Sequence, residues 1–226
     1  ACCGFTFLLG GGPVEMIFAF IAAGVGNLIR MKLIKHHYTL FLNIAVSISA
    51  ACLTYAVCLH MAELLLHVSA VHEAGYICSM LFIIPGFPFI TSGIDLAKLD
   101  LRSGLERLTY SIIIVLGATM FAWIMALLLK LQPQDFVALH LGSMMHLVLC
   151  LIASFCGVFG FSIMFNSSVY IAATAACIGA VANTLRLELV DYTGMPSAAA
   201  AFIGALTAGL LASIIKRDHG YPRISL

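Results

Sequence analysis

Apolar runs of about 20 residues recur along this chain, and each could cross the roughly 30 Å hydrocarbon core of a bilayer as a helix. Only 9% of the 226 residues are charged, whereas a soluble domain carries about 25%. Because so few charges cannot cover a water-facing surface, the sequence predicts an all-α polytopic membrane protein. After an N-terminal stub at 1–9, the predicted full spans are 13–33, 38–60, 74–94, 105–129, 137–165, 169–189 and 196–216.

Lysine and arginine are unevenly distributed between the loops. Nine of the eleven lie in the loops after residues 30 and 95 and in the C-terminal end, and only Lys130 and Arg186 lie on the other side. Since loops rich in positive charge stay in the cytoplasm, we expect a multi-pass protein of the inner (plasma) membrane with those loops cytoplasmic. A net charge of +1 gives no indication of a nucleic-acid partner. The eight cysteines form no CxxC pair, and we expect neither a metal nor a cofactor.

A shift of the chain by 156 residues superimposes matching polar and glycine positions: Gly4-Phe5 on Gly160-Phe161, Asn27 on Asn183 and Arg30 on Arg186. The second copy lies five spans further along, an odd number, so the two copies are expected to be inverted. We therefore predict a first repeat at 1–136 and a second at 137–226, in a 5+5-like transporter core. Each of the two repeats lacks a part that the other has, so we expect the sequence to be a piece of a longer protein, truncated at both ends. Such repeats bind their substrate at a broken helix near the repeat interface.

The segment 83–101, IIPGFPFITSGIDLAKLDL, places two prolines and two glycines where an apolar span should be an unbroken helix. Proline removes a backbone donor and opens a helix interior, and opened backbone at membrane depth must face protein or a water-filled cavity. The sequence therefore predicts a binding site here, with a simple packing kink as the alternative. The candidate substrate-binding residues are Pro85, Gly86, Pro88, Thr91, Ser92, Asn27 and Asn183.

Energy coupling needs a titratable group within the spans. Asp95 is the carboxylate contiguous with the broken helix, and a carboxylate within a span usually has a function. His140 and His146 are further candidates because histidine titrates near physiological pH. The simpler alternative for Asp95 is a helix cap, or an ion pair with Lys98 or Arg107.

PGFPFITSGIDL, followed by SGLERL at 103–108, resembles the PGxPxxNxxxD…GLxR signature of the threonine/serine exporter family, which includes two-component relatives proposed to export succinate. The family's asparagine is replaced here by Thr91. The resemblance extends over nearly the whole chain and implies about ten spans and proton-coupled export. The positions that match the signature are Pro85, Gly86, Pro88, Asp95, Gly104 and Arg107.

We therefore predict a secondary transporter, an antiporter exporting threonine or serine, whose partners are a small-molecule substrate, protons and the lipid bilayer, in a homo-oligomer or with a partner membrane subunit. One alternative is an exporter of a dicarboxylate such as succinate, and another is a non-transporting subunit of a two-component complex. An intramembrane hydrolase, with a nucleophile at Ser92 and a base at His140 or His146, is a third alternative. The sequence shows no catalytic motif that favours an enzyme.

Overall fold

A computed structural model describes residues 1–66, 73–131 and 143–219. Within these ranges the chain is helical throughout, without strands. The helices are α1 (Cys2–Leu8), α2 (Pro13–Lys35), α3 (Leu40–Leu66), α4 (Glu73–Ser79), a 3₁₀ helix (Leu81–Ile83), α5 (Gly86–Ala97), α6 (Leu101–Leu128), α7 (Ser143–Met164), α8 (Val169–Thr193) and α9 (Ser197–His219).

Six of these helices (α2, α3 and α6–α9) are long and apolar enough to cross a membrane. A seventh span is obtained if α4, the 3₁₀ helix and α5 are counted together, although a 60° bend divides them. The large side chains on the outside are apolar, as in Phe20, Trp123 and Phe202, which are 66–70% exposed. The prediction of an all-α polytopic membrane protein is therefore confirmed. The span predicted at 137–165 is described from Ser143 onward, as α7.

The ends of the helices follow from local sequence. Pro13 occupies the first turn of α2, where its missing N–H would have no partner within the helix. The carboxylate of Asp100 caps α6 by accepting a hydrogen bond from the backbone N–H of Ser103 at 3.4 Å. Gly194 ends α8 in the left-handed conformation, with φ of 63°.

The described helices form two compact units. In the first, which comprises α2–α6, α2 packs on α3 and α4, and α6 packs on α3 and α5. In the second, α8 packs against α7 and α9, while α1 lies against α7 with the rings of Phe5 and Phe161 5.5 Å apart. Gly4 allows this close approach, because a Cβ atom there would lie 2.5 Å from the carbonyl oxygen of Ala153.

The helix boundaries are consistent with the 156-residue offset seen in the sequence. α2 begins at Pro13 and α8 at Val169, and 169 − 13 is 156. α1 ends at Leu8 and α7 at Met164, which gives the same difference. α3 and α9 begin at positions that agree with this offset to within one residue. The inverted arrangement of the two copies, and the repeat boundary after residue 136, stay predictions.

Candidate functional site

The interruption in the third span lies slightly earlier than the sequence predicted. The two prolines predict that residues 85–88 lack regular helical hydrogen bonding. In the structure Gly86–Pro88 are instead the first turn of α5, and their helix begins with the backbone N–H of Phe89 donating to the carbonyl oxygen of Pro85 at 3.2 Å. The first backbone donors of a helix have no partner within it, so a proline costs little at Pro88. The opened backbone therefore comprises residues 80–85, which include the 3₁₀ helix.

The opening leaves the carbonyl group of Phe82 without its usual partner. In a continuous α-helix this oxygen would accept a hydrogen bond from the N–H of Gly86, but that N–H donates to Ile84 at 2.9 Å. The guanidinium of Arg30, on α2, donates from Nη1 to the Phe82 oxygen at 2.7 Å. Because an unpaired buried carbonyl is costly, this charge-assisted bond stabilises the broken span.

Arg30 also lines a cavity of about 430 Å³ within the α2–α6 unit. The cavity lies where the end of α2, the start of α3, the middle of α6 and Ile83 of the 3₁₀ helix come together. Its polar lining residues are Arg30, His37, Tyr38, Asn43 and Tyr110. A concave space with a few converging polar groups is the usual form of a small-molecule site.

Asn43 is the most buried polar residue of this lining, with 7% exposure. Its side-chain oxygen accepts a hydrogen bond from the hydroxyl of Ser47, one turn further along α3, at 3.0 Å. This bond orients the amide, since the oxygen and the nitrogen are on opposite sides of the group. The sequence identifies Arg30 as a loop charge and as a position of the 156-residue repeat, and it predicts neither Asn43 nor Tyr110 as a site residue. The sequence feature that could have indicated this site is an arginine inside an apolar run.

The predicted binding residues at the broken span differ in burial, and Gly86 and Pro88 are half-buried. Pro85, Thr91 and Ser92 are buried. The hydroxyl of Thr91 donates to the carbonyl oxygens of Phe87 and Pro88, both at 3.1 Å. The hydroxyl of Ser92 donates to the Phe89 oxygen at 2.7 Å. None of these residues belongs to the cavity lining just described, and the bond of Ser92 within its own helix gives no support to a hydrolase nucleophile.

Asn27 and Asn183, the pair related by the 156-residue offset, lie in different units. Asn27 is half-buried on α2, one turn before Arg30. Asn183 donates to the hydroxyl of Ser154 on α7 at 2.8 Å and accepts from Nε of Arg186 at 3.2 Å. The bond to Ser154 ties α8 to α7, which is a common role for asparagine in membrane helices, whereas the bond from Arg186 lies within α8.

Asp95 forms an ion pair with Arg107, with 3.0 Å between Oδ2 and Nη1. Oδ2 makes no hydrogen bond within the described residues, so the contact is electrostatic. Asp95 is therefore not a helix cap, and the cap of α6 is Asp100. Nearby, Gly104 allows α5 and α6 to pack closely, since a Cβ atom there would lie 2.7 Å from Cγ of Leu96. Asp95, Gly104 and Arg107, three positions of the sequence signature, thus lie where α5 and α6 pack together.

Of the two histidines considered for coupling, His140 lies outside the described residues. His146, on α7, has its Nε2 3.6 Å from Sγ of Cys150, and its ring centroid is 6.4 Å from that of Phe7. Within the described part of the chain, no three His, Cys, Asp or Glu side chains are placed to hold a metal ion.

Comparison with known proteins identifies a family. The model of the family ThrE, "Putative threonine/serine exporter", matches residues 1–130, more than half of the chain. This range includes the broken span, the cavity and the α5–α6 hairpin. Searches of curated proteins and of solved structures found no match. The family match agrees with the resemblance carried by the PGFP segment, and the protein belongs to the threonine/serine exporter family.

Proposed function

We propose that this protein is a secondary transporter that exports threonine or serine, and that the substrate carboxylate binds Arg30 in the cavity beside the broken span. The observation that carries the proposal is the position of Arg30, which lines the cavity and is bonded to the opened backbone at Phe82. A guanidinium has five N–H donors, so binding a carboxylate does not require it to release the Phe82 carbonyl.

The volume of the cavity suits a small metabolite. Small-molecule sites usually measure roughly 300–1,000 Å³, and this cavity, at about 430 Å³, lies near the lower end of that range. Its polar groups offer a cation at Arg30, an amide at Asn43 and a phenol at Tyr110. These groups can recognise the carboxylate and the hydroxyl of a hydroxy amino acid.

The location of the cavity supports export. Two of its lining residues, His37 and Tyr38, lie in the turn between α2 and α3, which the positive-inside rule assigns to the cytoplasm. A site that opens to this side can load a substrate from the cell interior. Export against a gradient needs a driving ion, and we infer that protons supply it, with Asp95 and His146 as candidate groups.

A dicarboxylate such as succinate is a second candidate substrate, and the charge of the cavity favours it. None of the ten lining residues is acidic, whereas Arg30 is a cation. An amino acid brings an ammonium group that finds no carboxylate among these residues. A dianion has no such requirement.

The test is an exchange assay on the full-length protein in liposomes. Liposomes preloaded with threonine, serine or succinate are diluted into the same labelled compound, and uptake is compared with that of protein-free liposomes. Because the family match indicates threonine or serine, we expect these two to exchange at least tenfold above background and faster than succinate. Exchange of succinate alone would reassign the substrate class, and exchange of none of the three would favour the non-transporting subunit.

A further inference from the structure

A buried hydroxyl of α3 bonds a side chain instead of the backbone of its own helix. Ser47 is 0% exposed, and its hydroxyl donates to the side-chain oxygen of Asn43 at 3.0 Å. Serine and threonine in membrane helices commonly donate to the carbonyl oxygen one turn earlier, and Thr54, Ser111 and Thr174 do so here at 2.7–2.8 Å. The bond of Ser47 has an effect that those bonds lack, because it fixes a neighbouring side chain.

This bond determines which end of the Asn43 amide faces the cavity. Asn43 belongs to the cavity lining, whereas Ser47 does not. Because Ser47 holds the amide oxygen, the amide nitrogen is the end left for the cavity, and it makes no hydrogen bond to another described residue. An amide nitrogen carries two N–H donors and accepts no hydrogen bond. Asn43 therefore offers the cavity two donors.

Arg30 offers the same chemistry from α2. A guanidinium has five N–H donors and no acceptor, and only Nη1 is bonded to the carbonyl oxygen of Phe82. Both Arg30 and Asn43 line the cavity. Donors from two helices that converge on one space recognise acceptor oxygens, as in a carboxylate. An amide turned the other way would present its oxygen, which repels a carboxylate and accepts the N–H groups of an ammonium.

The polar pair is absent from the second copy of the repeat. At the 156-residue offset, Asn43 corresponds to Ala199 and Ser47 to Ile203. The helices themselves are retained, since α3 and α9 begin at equivalent positions to within one residue. A helix at this place in the repeat therefore does not need an asparagine and a serine for its packing. The cavity that α3 lines gives the pair a reason that the helix alone does not.

We propose that Ser47 is a positioning residue, which holds the Asn43 amide so that its nitrogen donates to a carboxylate oxygen of the substrate bound at Arg30. The inference rests on the proposed function for the nature of that substrate. It makes the orientation of one amide a determinant of selectivity. A turned amide lowers the affinity for any carboxylate, and it does so more for a dicarboxylate than for an amino acid, whose ammonium group gains an acceptor.

The experiment measures equilibrium binding of labelled threonine, serine and succinate to the purified full-length protein in detergent. Ser47→Ala leaves the amide free to turn, so we expect the affinity to fall about threefold to tenfold, and further for succinate than for threonine. Ser111→Ala is the matched control, because Ser111 is also 0% exposed but donates to the backbone oxygen of Arg107 at 2.8 Å. It should bind all three compounds as the unmodified protein does.

A second variant tests the amide directly. Asn43→Asp replaces the two N–H donors by a carboxylate of the same shape, which repels a second carboxylate. We expect succinate to bind about tenfold more weakly or worse, and the ratio of the threonine affinity to the succinate affinity to rise about threefold or more. Where the unmodified protein does not bind one of the compounds, the fall in affinity is measured on the others.

Thermal unfolding accompanies the binding assay, because a merely structural bond would change the stability of Ser47→Ala without changing its affinities. The inference is overturned if Ser47→Ala binds every compound as Ser111→Ala does, if Asn43→Asp binds them as the unmodified protein does, or if the unmodified protein binds none. The exchange assay of the proposed function is read separately. Binding that responds to the variants without any exchange would support this inference and contradict transport, and exchange with unchanged affinities in the variants would do the reverse.

Discussion

Replacing Arg30 by alanine is expected to weaken substrate binding about tenfold to a hundredfold, because a hydrogen bond to a charged group contributes about 1.5–3 kcal/mol. The substitution also leaves the Phe82 carbonyl without its donor at 2.7 Å, which should cost about 1–3 kcal/mol of stability. Two measurements separate these effects. Exchange of labelled threonine and of labelled succinate at several concentrations gives the apparent affinity, and thermal unfolding in detergent gives the stability.

Two further variants sharpen this test. Arg30→Lys keeps the charge but replaces the planar fork of donors by a compact ammonium, so we expect an intermediate affinity. Lys32→Ala removes an exposed positive charge from the same end of α2 and should change neither quantity. If Arg30→Ala and Lys32→Ala bind both labelled compounds as the unmodified protein does, Arg30 does not bind the carboxylate.

The span architecture was predictable because length and apolar composition determine it almost alone. The α2, α3, α6 and α8 spans correspond to predicted runs, and the stub at the N-terminus is α1. The bent span was also predictable, since two prolines in an apolar run cannot continue a helix unchanged. Its opening nevertheless lies at 80–85, because Pro88 belongs to the first turn of the following helix. A proline in the sequence therefore predicts that a helix is interrupted, but it does not predict on which side of the proline the interruption lies.

The cavity was not predictable in the same way. Its lining residues come from α2, α3, α6 and the 3₁₀ helix, and no spacing in the sequence brings Arg30 to the carbonyl group of Phe82 or Tyr110 to Asn43. The polar residues that do follow the break along the chain, Thr91 and Ser92, bond within α5. A hydroxyl in a membrane helix can be satisfied by its own backbone, so proximity in sequence to a broken helix does not make a residue part of its site.

Replacing Gly26 by alanine is expected to destabilise the protein by about 1–3 kcal/mol, although alanine is the better helix former. A Cβ atom at this position would lie 2.6 Å from Cζ of Phe82 and 2.9 Å from Cβ of Ala51. Phe82 is 3% exposed and Ala51 is fully buried, so the ring has little room to rotate away, and the Ala51 methyl can move only with the backbone of α3.

The same substitution should impair transport, because Phe82 carries the carbonyl group that Arg30 binds. Displacing the ring by a few tenths of an ångström shifts the 3₁₀ helix, and with it the Ile83 side of the cavity. Gly24→Ala is the matched control on the same helix, since a Cβ atom there meets nothing within 4 Å, and it should be neutral or stabilising by up to about 1 kcal/mol.

Thermal unfolding and threonine or succinate exchange are measured for both variants. Equal stability of the two would contradict the close packing of Phe82 on α2. A Gly26→Ala protein that is less stable but exchanges normally would show that the position of the 3₁₀ helix does not control the cavity.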